Sequence, residues 1–448
     1  MLINEIKAII NPDVHIEVIN NKNGQWIVLL EEKGQDAKLK KVTVRGFEAN
    51  QTFAFKLDVE GKRISDYLNP SVFHKAEKWG KLFLPIYYPL PITHFQISRQ
   101  KPMFSSLSLE NMAAFQQLEW KQHSRINILI GENDTGKTYL LKMLYVIARS
   151  IEEYTKRQGK APSESWQEIL AKKLLWTFQT PHWELGTLIS KGQQQLKVEA
   201  DFYNENIHFA FGDKTTTKIS EAGELNGQFP EINTLFIAPK EILTAFDAIA
   251  ATREQLEIAG FDDTYFDLIK ALRLPTTKGE IHADLQAVAN ELDKMIEGQI
   301  QFEQQTFIFK RGDEQYTMPQ TAEGIKKMGI FSTLIRNRKL KKGTVLLVDE
   351  PELNLHPKTI VALVDLLFQM ANVGIQIYLA THSYFVLRRF EWLARKHNES
   401  ISLCSLFHPD KNGVITKFYN LRDGMPSNPI IDVSIKLYEQ NVILDFEQ

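Results

Sequence analysis

Short apolar runs punctuate this chain at Ile126 to Ile130 (INILI), Asn233 to Ala238 (NTLFIA), Thr344 to Val348 (TVLLV) and Ile375 to Ala380 (IQIYLA). Runs of this kind suit strands buried on both faces at the centre of a parallel sheet. Alternating segments lie around them. His15 to Ile19 and Trp26 to Leu30 flank Asn21-Lys-Asn-Gly24, which predicts a hairpin, and Lys41 to Arg45 and Thr52 to Val59 add two further strands. The proline-bearing aromatic stretch Leu82 to Pro91 then breaks the pattern. Met103 to Leu109 and Phe115 to Trp120 alternate like strands leading into the first apolar run, and Leu196 to Phe202 with Ile207 to Phe211, and Ile300 to Glu303 with Thr306 to Phe309, predict two more hairpins. Helical spacing governs Tyr139 to Ala148, Ser163 to Trp183 (with Lys172 and Lys173 on a polar face), Phe261 to Leu272, Lys278 to Ile296, and a helix beginning near Thr321. No heptad run is long enough for an extended coiled-coil arm. The pattern predicts a small β-rich module over residues 1–100 and an α/β domain starting near residue 102.

Between the INILI run and the helix that follows it stands GENDTGKT: Gly131, Glu132, Asn133, Asp134, Thr135, Gly136, Lys137 and Thr138. Strand, glycine-bounded loop, Lys-Thr and helix is the context of a phosphate-binding P-loop. Gly131 and Gly136 let the backbone curl so that successive N–H groups face a phosphate, and the helix N-terminus adds positive potential. Lys137 is placed to reach the β- and γ-phosphates, and the Thr138 hydroxyl to ligate Mg²⁺.

The TVLLV run ends in Asp349 and Glu350. Ligands of parallel sheets sit beyond the strand C-terminal ends, so Asp349 is expected to hold Mg²⁺, directly or through water, and Glu350 to polarise the attacking water. The chain continues Pro351-Glu-Leu-Asn-Leu-His-Pro357, a helix, then the IQIYLA run delivering Thr381-His382-Ser383. His382 either hydrogen-bonds a terminal phosphate, holds the water-positioning acid, or serves as a structural histidine at a helix start.

The length of 448 residues allows two or three domains, and 43% hydrophobic with 24% charged residues reads as globular. A formal net charge of -2 advertises no nucleic-acid or membrane partner. The single cysteine, Cys404, excludes an intramolecular disulfide and a multi-cysteine metal site, and no window reaches a membrane span, which together predict a cytoplasmic protein. The run Arg336 to Lys342 is either a solvated loop or a phosphate-backbone contact.

GENDTGKT, LLVDEPELNLHP and LATHS together resemble the ABC-class ATPases of the RecF, SMC and OLD type, the non-transporter members found in bacterial DNA repair and anti-phage defence. The roughly 200 residues between the two Walker motifs suit this class. The resemblance implies an ABC-type nucleotide-binding domain over residues 102–425 (a mixed sheet with a helical insertion over about 150–320) and a helical tail over 426–448. It implies Mg²⁺-dependent ATP binding and hydrolysis, Glu350 and His382 as catalytic residues, and an ATP-dependent dimer or higher homo-oligomer. In that sandwich the start of the helix before the Walker B strand meets the partner's γ-phosphate, which makes Thr321 and Gly324 nucleotide-binding residues. Here the segment departs from the usual serine-glycine-glycine pattern, offering Ala322 where a serine is common. Lys240 or Glu241 stands where the class has a metal-approaching loop, or else belongs to a plain surface loop. No terminal acidic cluster after residue 425 resembles a Toprim nuclease, so the resemblance points to a separately encoded effector such as a nuclease, as in PARIS-like or Septu-like defence systems. The alternative it leaves is a DNA-repair or DNA-end-binding ATPase.

Overall fold

The computed structural model describes residues 14–20, 26–32, 40–44, 55–56, 101–157, 164–225, 227–275, 280–410 and 413–447. The chain divides into two compact units, Met1–Ile92 and Thr93–Gln448. In the first, β1 (Val14–Asn20), β2 (Trp26–Glu32), β3 (Lys40–Val44) and β4 (Phe55–Lys56) pair in sequence order as an antiparallel meander, with Asn20 opposite Trp26 across the expected hairpin. The stretch Leu82 to Pro91 lies outside the described residues.

The second unit opens with β5 (Phe104–Met112), β6 (Phe115–Trp120), β7 (Ile126–Gly131), α1 (Lys137–Arg157) and α2 (Trp166–Phe178). There follow β8 (Gln195–Phe202), β9 (Glu205–Gly212), β10 (Glu221–Ala222), β11 (Asn233–Ile237), α3 (Phe246–Ala250), α4 (Asp263–Leu272) and α5 (Ala283–Ile296). Next come β12 (Gln299–Glu303), β13 (Thr306–Arg311), β14 (Glu314–Thr317), α6 (Glu323–Arg336), β15 (Thr344–Asp349) and α7 (Pro357–Asn372). The chain closes with β16 (Gln376–Ala380), α8 (Tyr384–His397), β17 (Ile401–Asp410), β18 (Gly413–Asn420) and α9 (Pro429–Glu447).

The main sheet has the order β11-β15-β16-β7-β17-β18, parallel except for the antiparallel edge strand β18. A second, antiparallel sheet runs β10-β9-β8-β5-β6, and β12-β13-β14 form a third. The apolar runs serve two cores at once. Leu346 and Val348 of β15, Ile377 and Leu379 of β16, and Ile128 and Ile130 of β7 join the core made with α3 to α8. Their alternates Val345, Leu347, Tyr378, Ala380 and Leu129 join the core shared with α1, α2 and the antiparallel sheet. Both faces of these strands are therefore dry, which is why they read as unbroken apolar runs. Each Val, Leu or Ile among them contributes about 1.5–3 kcal/mol on burial.

Three expectations need correction. The segment about 150–320 is not simply a helical insertion; it also supplies β8 to β14, because alternating stretches such as Gln195–Phe202 pair across hairpins. The helix expected over Ser163 to Trp183 is confined to α2. Ser165 and Glu168 form a capping box at its start, and Gln179 ends it in the left-handed region (φ 46°) just before Pro181. Within it Lys173 does not lie on a polar face. It is buried against Asp263 (2.8 Å), Glu153 (2.9 Å) and Asp267 (3.1 Å), and although burial disfavours its charge, these carboxylates hold the ammonium pKa above its ordinary range. Cys404 is buried, and burial pushes its thiol up, as an inert core position requires.

Candidate functional site

The loop Gly131–Thr138 joins β7 to α1 at the C-terminal end of the central strands. A Cβ at Gly131 would lie 2.5 Å from the Leu406 carbonyl oxygen, and one at Gly136, whose φ is +86°, would lie 2.7 Å from the Phe115 ring. Both positions therefore require glycine. Thr135 is buried and donates to the Glu132 carbonyl (2.8 Å), Asp134 takes a left-handed φ of 63°, and His408 Nε2 stands 2.9 Å from Glu132 Oε2. The loop is thus braced from within and from β17.

Lys137 Nζ curls back to donate to the carbonyls of Glu132 (2.7 Å) and Gly131 (3.1 Å). Burial lowers its pKa, while Glu350, Asp349 and Glu352 act in the opposite sense. No acid occupies the first turn of α1, so the helix N-terminus keeps its positive potential for an anion.

Across from it, β15 ends in Asp349, whose Oδ2 accepts from the Thr138 hydroxyl at 2.8 Å. Asp349 is 3% exposed, and burial beside Glu350 pushes its carboxyl up to about 6 against the pull of that hydrogen bond. A hydroxyl and a carboxylate oxygen on one spot, with a lysine alongside, make the donor set that Mg²⁺ and a polyphosphate need. The residues present fit both groups: Thr138 and Asp349 would hold the metal, and Lys137 with the Gly131–Thr138 amides the phosphates.

Glu350 has a left-handed backbone (φ 49°), held by its N–H donating to the Ala380 carbonyl at 2.9 Å. This turn aims its carboxylate toward His382, whose Nε2 is 3.6 Å from Glu350 Oε1. Burial, then Lys137, lower the His382 pKa, so the ring is neutral near pH 7 and free to donate or accept.

Glu352 is a residue that sequence reasoning missed. Its Oε1 accepts from the Thr381 hydroxyl (2.7 Å) and the His382 N–H (2.8 Å), pinning the loop that carries the histidine. The signal was present in the second glutamate of Asp349-Glu-Pro-Glu352, but nothing in its spacing reveals that it folds back onto a loop thirty residues on.

Thr321 and Gly324 are not brought to this P-loop by hydrogen bonds among the described residues. Thr321 is buried and donates to the Thr317 carbonyl (2.8 Å), and a Cβ at Gly324 would lie 3.2 Å from Leu355 Cδ2. Of the pair expected near the metal, Lys240 is exposed, and Glu241 accepts from the Thr244 N–H (3.0 Å) and from Lys326 Nζ (3.3 Å) of α6. In the charged run, Arg336 pairs with Asp293 and Lys341 with Glu231 (2.6 Å).

Residues 215–388 match a family model described as "AAA domain, putative AbiEii toxin, Type IV TA system". The match takes in Asp349, Glu350 and His382 and leaves the P-loop outside. Over 194 residues, 43% of this chain, the sequence is 23% identical to the DNA replication and repair protein RecF of Oceanobacillus iheyensis. The chain spans 47%, about half, of the length of that relative. Among solved structures it is similar to an SmcHead bound to the C-winged helix domain of ScpA, at 12% identity and a TM-score of 0.43, covering 72% of this chain and 99% of that one. It is also similar to the Smc head domain from Pyrococcus furiosus bound to the C-terminal domain of ScpA, at 10% identity and a TM-score of 0.40, covering 76% and 99%. Among the described residues no helix is long and apolar enough to cross a membrane.

Proposed function

We propose that this chain, an ABC-class P-loop protein of the RecF and SMC type, binds ATP with Mg²⁺, closes as a homodimer around it, and hydrolyses it to reset. The observation that carries the reading is the convergence of Lys137, Thr138, Asp349, Glu350 and His382 beyond the ends of β7, β15 and β16. Mg²⁺, which Thr138 and Asp349 would hold, would supply positive charge to offset that of the phosphates. Lys137 and the amides of the loop bind and orient the phosphates. Glu350 takes the proton of the attacking water, and neutral His382 orients that water or donates to the terminal phosphate. Tyr139, Leu353 and Phe385 are large apolar side chains left exposed on the elements that frame the site, which supports closure by a second copy. In that closed form Thr321 and Gly324 at the start of α6 face the partner's nucleotide.

In biological terms the reading is a sensor or regulatory scaffold whose ATP-held assembly stores a separately encoded effector in anti-phage defence; the toxin–antitoxin description of the matched family supports it. Full-length protein tests the enzymology. Lys137→Ala abolishes nucleotide binding, and Glu350→Gln binds ATP, hydrolyses it at least about 100-fold more slowly and accumulates a species of doubled mass. Wild-type turnover in Glu350→Gln would sink the assignment. Co-purification of a neighbouring gene product, released on infection, tests the scaffold role.

A second reading, a DNA-repair or DNA-end-binding ATPase, is favoured by the RecF match and by Lys339 and Lys342, which have no carboxylate within ion-pair distance among the described residues. It predicts hydrolysis stimulated by DNA with a steep salt dependence.

A further inference from the structure

The first turns of α6 carry consecutive lysines that point to different loops. Lys326, 3% exposed, is neutralised by acids: its Nζ donates to Glu323 (2.7 Å), Thr244 Oγ1 (3.0 Å) and Glu241 (3.3 Å). Lys327 behaves otherwise. Its Nζ donates to two backbone carbonyls, those of Glu350 (3.1 Å) and Leu353 (3.4 Å), and among the described residues it forms no ion pair.

Half-burying an ammonium on carbonyl oxygens is costly unless something offsets it. Here burial lowers the Lys327 pKa, and Glu352, Glu350 and Asp349 work against that shift. The carbonyl it holds belongs to the one residue of the Asp349–Glu350 pair with a left-handed backbone. A non-glycine residue in that region costs on the order of 1 kcal/mol and persists only where surroundings over-determine it. Around Glu350 the determinants are its N–H on the Ala380 carbonyl (2.9 Å), the Leu353 N–H on its own carbonyl (3.2 Å), and Lys327 on that same carbonyl. The helix start also packs on the continuation of this turn, since a Cβ at Gly324 would lie 3.7 Å from the Asn354 carbonyl oxygen.

We propose that Lys327 is a positioning residue: its ammonium fixes the Glu350–Leu353 turn, and with it the direction of the Glu350 carboxylate, from the helix whose start faces the second copy. Docking of that copy on Thr321–Gly324 and alignment of the catalytic acid then become a single mechanical event, relayed through one side chain. This rests on the ATPase reading above.

The test compares wild type, Lys327→Met and Lys327→Arg as full-length proteins, measuring the Kd for MgATP and single-turnover hydrolysis. A positioning role lowers the rate about 10-fold or more in Lys327→Met while Kd stays within about 2-fold, and Lys327→Arg recovers part of the rate. A Lys327→Met rate within about 2-fold of wild type overturns the proposal. So does a weakened Kd with an unchanged rate, which would make Lys327 a source of potential for the phosphates rather than a support for Glu350. If Lys327→Met does not fold, Lys327→Ala, which also removes the donor, is read by the same split. A wild-type protein that neither binds nor hydrolyses ATP sinks the ATPase reading instead, so the two failures are distinguishable.

Discussion

At Glu352 one carboxylate oxygen accepts two hydrogen bonds from the loop that carries His382. Charge-assisted acceptors of this kind are strong, and removing one frees the groups it ordered. Glu352→Ala is therefore expected to slow hydrolysis about 10-fold or more while ATP affinity holds, and Glu352→Gln, which keeps an acceptor oxygen, to lose less. Single-turnover rates beside an equilibrium titration check this; a pure loss of affinity would contradict it. At this scale the sequence was informative about residue types and silent about partners. Lys137, Thr138, Asp349 and Glu350 could be assigned roles because motif spacing fixes which strand end they occupy. Glu352 and Lys327 could not, because their roles depend on which backbone carbonyl or amide a neighbouring element happens to present.

The P-loop, as an element, is shaped from outside as well as from within. The buried ring of Phe115, at the start of β6, fills the space where a Gly136 side chain would be. Gly136→Ala combines a positive φ with that clash, so it is expected to weaken nucleotide binding at least about 10-fold and to lower Tm by several degrees. Gly192 offers the comparison: its φ is +82°, but nothing lies within 4 Å of its Cβ position. Gly192→Ala then carries backbone strain alone, about 1 kcal/mol, with nucleotide binding unchanged. Titration with an ATP analogue and a thermal melt of both variants separate the two effects. The periodicity of α2 was legible, but its true length was decided by the Ser165–Glu168 box and by Gln179 before Pro181, local geometry that an apolar count over a window averages away. The inward turn of Lys173 was illegible for a different reason. Two of its three carboxylate partners, Asp263 and Asp267, sit on α4, ninety residues and more away, and together with Glu153 they make burial of the ammonium tolerable.

Across the whole second unit, His123 ties the layers together. It lies against Trp120 at a ring-centroid distance of 4.3 Å and hydrogen-bonds Tyr378 of the main sheet. Burial pulls its pKa down from 6.5 to about 3, so the folded protein keeps it neutral while the unfolded chain protonates it near its ordinary value. With the folded pKa depressed, its contribution to stability is complete above about 6.5 and is lost progressively as pH falls toward 3. Between those limits the slope from this one group is about 1.4 kcal/mol per pH unit. Urea midpoints at pH 7, 6 and 5 are expected to fall in wild type and to fall less steeply, by roughly that slope, in His123→Gln; an unchanged slope would refute the assignment.

By itself the sequence determined four strands of the central sheet (β7, β11, β15 and β16), the loop between β7 and α1, and the acids at the end of β15. The reason is that burial on both faces and phosphate binding each demand particular residue types at fixed local spacing. The tertiary structure decided everything that depends on neighbours distant in sequence: the pairing of Thr138 with Asp349, the carboxylate that pins His382, the lysine that holds the turn at Glu350, and the placement of Gly324 beside Leu355. Those contacts join segments whose separation along the chain carries no periodic signal, so only the packed fold brings them into range.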